Sequence, residues 1–113
     1  MNSINKSDID KVFGKVLKNY REKSGLTQEQ LSEELGISPK YISRIENGNS
    51  GIKTQTLIKY INTLKIFPNS FFKDFVFDEE MKSRIILLEK INELPKDKID
   101  LVNSIVDLLR DFR

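Results

Sequence analysis

The sequence predicts an all-α protein, five helices in an N-terminal domain followed by a C-terminal two-helix hairpin, and three observations carry that prediction. Apolar residues recur at helical spacing, as in Phe13, Val16, Leu17 and Tyr20, in Leu57, Ile58, Ile61 and Leu64, and in Met81, Ile85, Leu88 and Ile91. Two complete helix-start signals follow one another in the stretch from Leu26 to Gly48. The chain has 113 residues, 32% charged and 38% hydrophobic. That composition suits a helix-rich soluble chain with room for one domain and a short extension.

The stretch Leu26–Gly48 organises the rest. Thr27 is placed as an N-cap, with Gln30 three residues on to complete a capping box, and Leu26 and Leu31 form a hydrophobic staple across it. Gly36 supplies the left-handed residue that ends this helix. Ser38 then caps a second helix, Pro39 occupies its first position, where a missing N–H costs nothing, and Ile37 and Ile42 make a second staple. Leu31, Leu35, Ile42 and Ile45 face inward across the corner. Pro39, Lys40, Tyr41, Ser43, Arg44 and Asn47 are left outward, a surface of donors and one aromatic with no carboxylate before Glu46. Such a helical corner presents its second helix to the major groove of DNA, where Arg can bond guanine as a bidentate donor.

At these residues, from about Phe13 to Phe75, the chain resembles the Cro/CI-type helix-turn-helix regulators, the lambda-repressor-like or xenobiotic-response-element (XRE) family. The resemblance is carried by Tyr20-Arg21-Glu22-Lys23-Ser24-Gly25-Leu26-Thr27-Gln28, Leu31-Ser32, Leu35-Gly36-Ile37-Ser38, Tyr41-Ile42-Ser43-Arg44-Ile45-Glu46-Asn47-Gly48 and Leu57. It implies a five-helix lambda-repressor-like DNA-binding domain over residues 1–77, with the helix-turn-helix at 27–47 and the recognition helix at 38–47. It implies a salt bridge between Arg21 and Glu46, and a DNA phosphate contact from Gln28, which can also brace a recognition-helix side chain. A helix N-terminus favours an anion there as well. Base edges are expected to meet Pro39, Lys40 and Arg44, with Pro39 offering apolar contact in place of the polar residue that many relatives carry. Ser38, Ser43, Asn47, Gly48 and Lys53 are expected on the DNA backbone, and Tyr41 either joins them or packs as an amphipathic wedge at the core edge.

Composition excludes much else. With no cysteine and no histidine there are no disulfides, no usual zinc site and no usual general base, so neither an enzyme nor a cofactor or metal is expected. Glu29, Glu33 and Glu34 form a solvated face rather than a catalytic cluster. No apolar run has the length of a membrane span, and residues 1–6 lack the core of a signal peptide, so a cytoplasmic location without membrane contact is expected. The net charge of +2 conceals a split: residues 1–75 hold 12 basic against 8 acidic side chains, residues 76–113 hold 7 against 9. The half with the helical corner is the basic half, as phosphate binding requires.

The flanking elements read as follows. Residues 1–6 form a polar tail, and Ser7 with Asp10 caps a first helix to about Lys23, with Lys11, Lys15 and Lys18 on its solvated side. Thr54 caps a fourth helix after the loop from Asn49 to Lys53, where Ile52 replaces the proline of many relatives. Pro68 starts a short fifth helix, and Phe67, Phe71, Phe72 and Phe75 are core or rim. From Asp78 on, residues 78–113 form a dimerisation or interaction segment. Its acidic start suits a helix dipole, and Pro95 opens a last helix whose apolar surface is wider than one stripe. Ile85, Leu88, Leu101, Val102, Ile105, Leu108, Leu109 and Phe112 are the expected dimer contacts. The whole reads as a dimeric, sequence-specific repressor of palindromic double-stranded DNA. The alternative is an antitoxin-like or antagonist-controlled regulator whose C-terminal helices bind a toxin or other protein partner.

Overall fold

A computed structural model describes residues 5–112. Seven α-helices follow one another: α1 Lys6–Lys23, α2 Gln28–Leu35, α3 Pro39–Glu46, α4 Thr54–Leu64, α5 Pro68–Phe71, α6 Glu79–Asn92 and α7 Lys96–Asp111, with a 3-10 turn at Lys73–Phe75 before α6. The described residues contain no strand. The chain divides into two compact units, Met1–Phe71 and Phe72–Arg113.

Local chemistry explains most boundaries in the first unit. The Thr27 hydroxyl accepts the Gln30 N–H at 3.0 Å while the Gln30 side chain accepts the Thr27 N–H at 2.9 Å, so α2 starts with two orphan donors satisfied. Gly36, at φ 68°, ends α2 in the left-handed region and directs the chain into Ser38, whose hydroxyl accepts the Tyr41 N–H at 3.1 Å. Three expectations shift. The N-cap of α1 is Asn5, whose side chain accepts the Asp8 N–H at 2.9 Å, and Ser7 lies inside the first turn. Asparagine is as good a cap as serine. The expected tail over residues 1–6 otherwise falls on residues 1–4, outside the described residues. At α4 the cap position is Lys53, with no side-chain bond, and Thr54 is the first helical residue. Pro95 likewise stands at the cap of α7, one position before the first turn.

The core of this unit gathers the inward faces of α1 to α5: Leu17, Leu31, Leu35, Ile42, Ile45, Tyr60, Leu64, Ile66 and Phe71. Phe13 and Phe71 stack with tilted rings, centroids 4.8 Å apart. Tyr60 is fully buried, and its hydroxyl makes no hydrogen bond among the described residues. Burial, reinforced by the nearby Glu46 carboxylate, pushes the Tyr60 phenol well above its ordinary pKa. Its ring therefore supplies packing while its hydroxyl opposes it.

In the second unit, Asp78 caps α6 by accepting the Met81 N–H at 2.8 Å, and Lys73 pairs with Glu89 at 3.1 Å. Ile85 is the one buried side chain of α6, and α7 has none.

Replacing Tyr60 by Phe removes an unpartnered polar group and should raise the urea midpoint, by about 1 kcal/mol or more in stability. The sign with pH is also determined. A folded-state pKa raised above the unfolded value of about 10 gives stability that is present below that pH and lost as pH rises past it. Urea titrations at neutral and alkaline pH should show a loss in the parent chain that is smaller in Tyr60→Phe.

Candidate nucleic-acid interface

The outward face of α3 is built by its inward one. Ile42 and Ile45 are buried in the core, which turns Pro39, Lys40, Arg44 and Asn47 to solvent and leaves Ser43 half-exposed. Lys40, Arg44 and Asn47 succeed one another at spacings of four and three, so they share a stripe along one side of the helix. The Asn47 amide lies 3.4 Å from the Ser43 hydroxyl, joining the two short side chains at the helix end. Ser38 stands exposed at the start, its hydroxyl committed to the cap.

Tyr41 is half-buried and packs against the core cluster. Its hydroxyl accepts the Lys53 N–H at 3.3 Å and lies 3.5 Å from the Gly51 carbonyl oxygen. It thus packs as an amphipathic wedge at the core edge. The phenol also holds the loop between α3 and α4, which has no side-chain cap of its own at Lys53. Lys53 itself is exposed at the start of α4.

The far end of α3 is anchored by a buried ionic cluster. Glu46 receives Arg21 Nε at 2.7 Å on one oxygen, and Arg21 Nη2 at 2.9 Å with the Gln28 amide at 3.0 Å on the other. The remaining Arg21 nitrogen donates to the Leu26 carbonyl at 2.7 Å. The Glu46 side chain is 1% exposed and that of Arg21 10%. Bonding to Glu46 raises the Arg21 pKa further, against desolvation, so the guanidinium stays charged. Two charges taken out of water are tolerable only when every donor and acceptor is matched, and here α1, the α1–α2 turn, α2 and α3 all contribute. Gln28 is thereby tied to the recognition helix, while its position beside Arg21, Thr27, Glu29 and Pro39 borders a shallow open cleft at the starts of α2 and α3.

One residue of this arrangement was missed from the sequence. Gly14 is buried in the middle of α1, and a Cβ there would collide with the carbonyl oxygen of Ile45 and lie 2.9 Å from that of Glu46. The absence of a side chain lets α1 press against the last turn of α3. Gly48 repeats the device from the other side: it takes φ 74°, and a Cβ there would lie 2.9 Å from the Lys11 Cα. Only an unexplained glycine in a helix interior, where glycine disfavours the helix, hints at this from the sequence.

A basic helix stripe, braced at one end by a buried cluster and at the other by a cap, is a rigid element offered to a polyanion. The family described as Helix-turn-helix matches residues 17–66, from Leu17 in α1 to Ile66 just after α4. Over 94 residues the chain is 36% identical to the HTH-type transcriptional repressor RghR of Bacillus subtilis (strain 168), covering 80% of this chain and 70% of that one. The chain belongs to the XRE family of helix-turn-helix transcriptional regulators. Over 85 residues it is also 31% identical to the competence pilus inhibition repressor of Acinetobacter baylyi (strain ATCC 33305 / BD413 / ADP1), covering 75% of this chain and 74% of that one. The crystal structure of the clp gene regulator ClgR from Corynebacterium glutamicum shares the fold, with a TM-score of 0.54 at 20% identity over 85% of this chain and 88% of that one. XRE regulators bind double-stranded DNA and are not enzymes. Among the described residues no helix of this regulator is long and apolar enough to cross a membrane.

Two substitutions test the bracing. Glu46→Ala strands the Arg21 charge and should cost about 3–5 kcal/mol in a urea unfolding experiment. Gly14→Ala, which on an exposed helix would stabilise by roughly 1 kcal/mol, should here lower the unfolding midpoint, because α1 and α3 must separate to admit the methyl group.

Proposed function

We propose that this XRE regulator is a dimeric, sequence-specific repressor that reads a palindromic operator through the major groove. The observation that carries this reading is the exposed stripe on α3, fixed in place by the Arg21–Glu46–Gln28 cluster beneath its last turn. Lys40 and Arg44 are assigned to base edges, Arg44 as a bidentate donor to guanine, and Pro39 to apolar contact with a thymine methyl. Gln28, Ser38, Ser43, Asn47, Gly48 and Lys53 are assigned to the sugar-phosphate chain, and Tyr41 to holding the loop that presents Lys53. Residues 1–77 form the DNA-binding part and residues 78–113 the pairing part, acting in the cytoplasm. Steric occlusion of a promoter is the mode of repression, a reading supported by the two relatives named as repressors.

Pairing is assigned to the second unit because its apolar surface is unspent. Leu88, Leu101, Ile105, Leu108, Leu109 and Phe112 are exposed and Val102 is half-exposed, while Ile85 is buried. A dimer sets two recognition helices on half-sites about 34 Å apart and makes the second engagement intramolecular. The same exposed surface would also serve a protein antagonist or toxin. Light scattering on the purified chain separates the two, since self-pairing gives a homodimer with no other protein present.

Selection of preferred duplexes from a random pool should return a palindrome with a defined spacing. On that operator Arg44→Ala should lose about 1–3 kcal/mol of discrimination per half-site. Lys53→Ala should instead weaken binding to all sequences alike and flatten the salt dependence. An Arg44→Ala protein that keeps full preference for the selected site would remove the assignment of base readout.

A further inference from the structure

The first two turns of α1 run beside the loop that joins α3 to α4. A Cβ at Gly48 would lie 2.9 Å from both the Cα and the Cγ of Lys11. One at Gly51 would lie 3.4 Å from the Lys6 ammonium and 3.6 Å from an Asp10 carboxylate oxygen. One turn further along, Gly14 meets the carbonyl oxygens of Ile45 and Glu46. Residues three and four apart share a helix face, so Asp10, Lys11 and Gly14 form a single surface laid against the end of α3 and the loop.

Charge on this surface is not fully matched. Lys6 and Asp10 pair at 3.0 Å, with the Asp10 side chain 15% exposed and that of Lys6 81%. Lys11 is exposed, and its ammonium makes no hydrogen bond or ion pair among the described residues. The chain itself has no carboxylate from Asn47 to Lys73, so the acid beside the loop is Asp10, brought there by α1 and neutralised by Lys6. Lys11 at the start of the loop and Lys53 at its end are left as the net charge.

A lysine rests its stem on the protein and keeps its ammonium in water. The Lys11 stem lies over Gly48, which sets its charge at the rim of the loop. That contact distinguishes Lys11 from a merely solvated lysine. Asn47, Gly48 and Lys53 are already assigned to the sugar-phosphate chain, and a phosphate that meets Gly48 comes within reach of Lys11.

We propose that α1 is a second DNA-binding element: Lys11 binds the phosphate that meets the loop at Gly48, and Asp10, by holding Lys6, limits the attraction at the same edge. This rests on the DNA reading above and carries the contact surface beyond the helix-turn-helix. Phosphate contacts position the protein and add affinity to every sequence alike, so Lys11 raises binding without altering the preferred site.

Affinity of the full chain for its selected operator and for a random duplex, measured across roughly 50 to 200 mM salt, tests this. Lys11→Gln should weaken both by the same factor and flatten the slope of log affinity against log salt by about 1 for each half-site occupied. Lys11→Arg should restore both. Asp10→Asn should act in the opposite sense and tighten both, because Lys6 is released to the phosphates. Lys90→Gln, which removes the same charge from α6, should change neither. Ethylating the operator one phosphate at a time should reveal a position in each half-site that costs the parent affinity and costs Lys11→Gln none, a result that a purely structural lysine would not give. If Lys11→Gln keeps the parent's salt slope and ethylation pattern while Lys53→Ala flattens the slope, α1 does not touch DNA and the recognition-helix reading stands. An Asp10→Asn protein that binds no tighter removes the Lys6–Asp10 pair from the interface. If the parent chain binds no duplex at any salt concentration, both readings fall.

Discussion

A buried ion pair, Arg21 with Glu46, is the constraint on which the DNA-binding unit depends. It joins the first helix to the end of the recognition helix, and neither charge can leave without stranding the other in a poorly solvating interior. Complete matching makes the pair tolerable: the guanidinium satisfies both carboxylate oxygens and the Leu26 carbonyl, and the Gln28 amide adds a further donor to Glu46. Four successive pieces of chain are therefore held at one point. Any rotation of α3 about its axis would break several of these bonds together.

That anchor works because the backbones come close enough. Gly14 admits the carbonyl groups of Ile45 and Glu46 against α1, and Gly48 turns the chain away next to Lys11. Opposite this contact, the cap at Ser38 holds the start of α3 and the Tyr41 hydroxyl holds the loop that follows the helix. The exposed donors then occupy a fixed stripe, and little ordering remains to oppose binding. The two units show opposite design: the first spends its apolar residues on its own core and displays charge, whereas α7 displays its apolar residues.

Much of this arrangement was legible along the chain because it is local. The capping box of Thr27 and Gln30, the Ser38–Pro39 start and the Gly36 turn each depend on residues within four positions, where propensity and hydrogen bonding decide the outcome. Boundaries slipped at α1, where Asn5 or Ser7 could do the same work, and at α4, which starts after Lys53 with no side-chain cap and takes Thr54 into its first turn. The pairing of Arg21 with Glu46 followed from family resemblance, since nothing local connects those two positions.

The sequence by itself determined the helices, their order, the inward and outward sides of the corner and the family, because periodicity, caps and a dense motif are properties of neighbouring residues. Tertiary structure alone decided that Gly14 is a contact surface, that Tyr41 holds a loop, that the Tyr60 hydroxyl lies buried without a bond, and that Ile85 is interior while α7 is bare. These depend on which atoms arrive from distant parts of the chain, and a void, a close approach or an unmet donor exists only once the helices have packed.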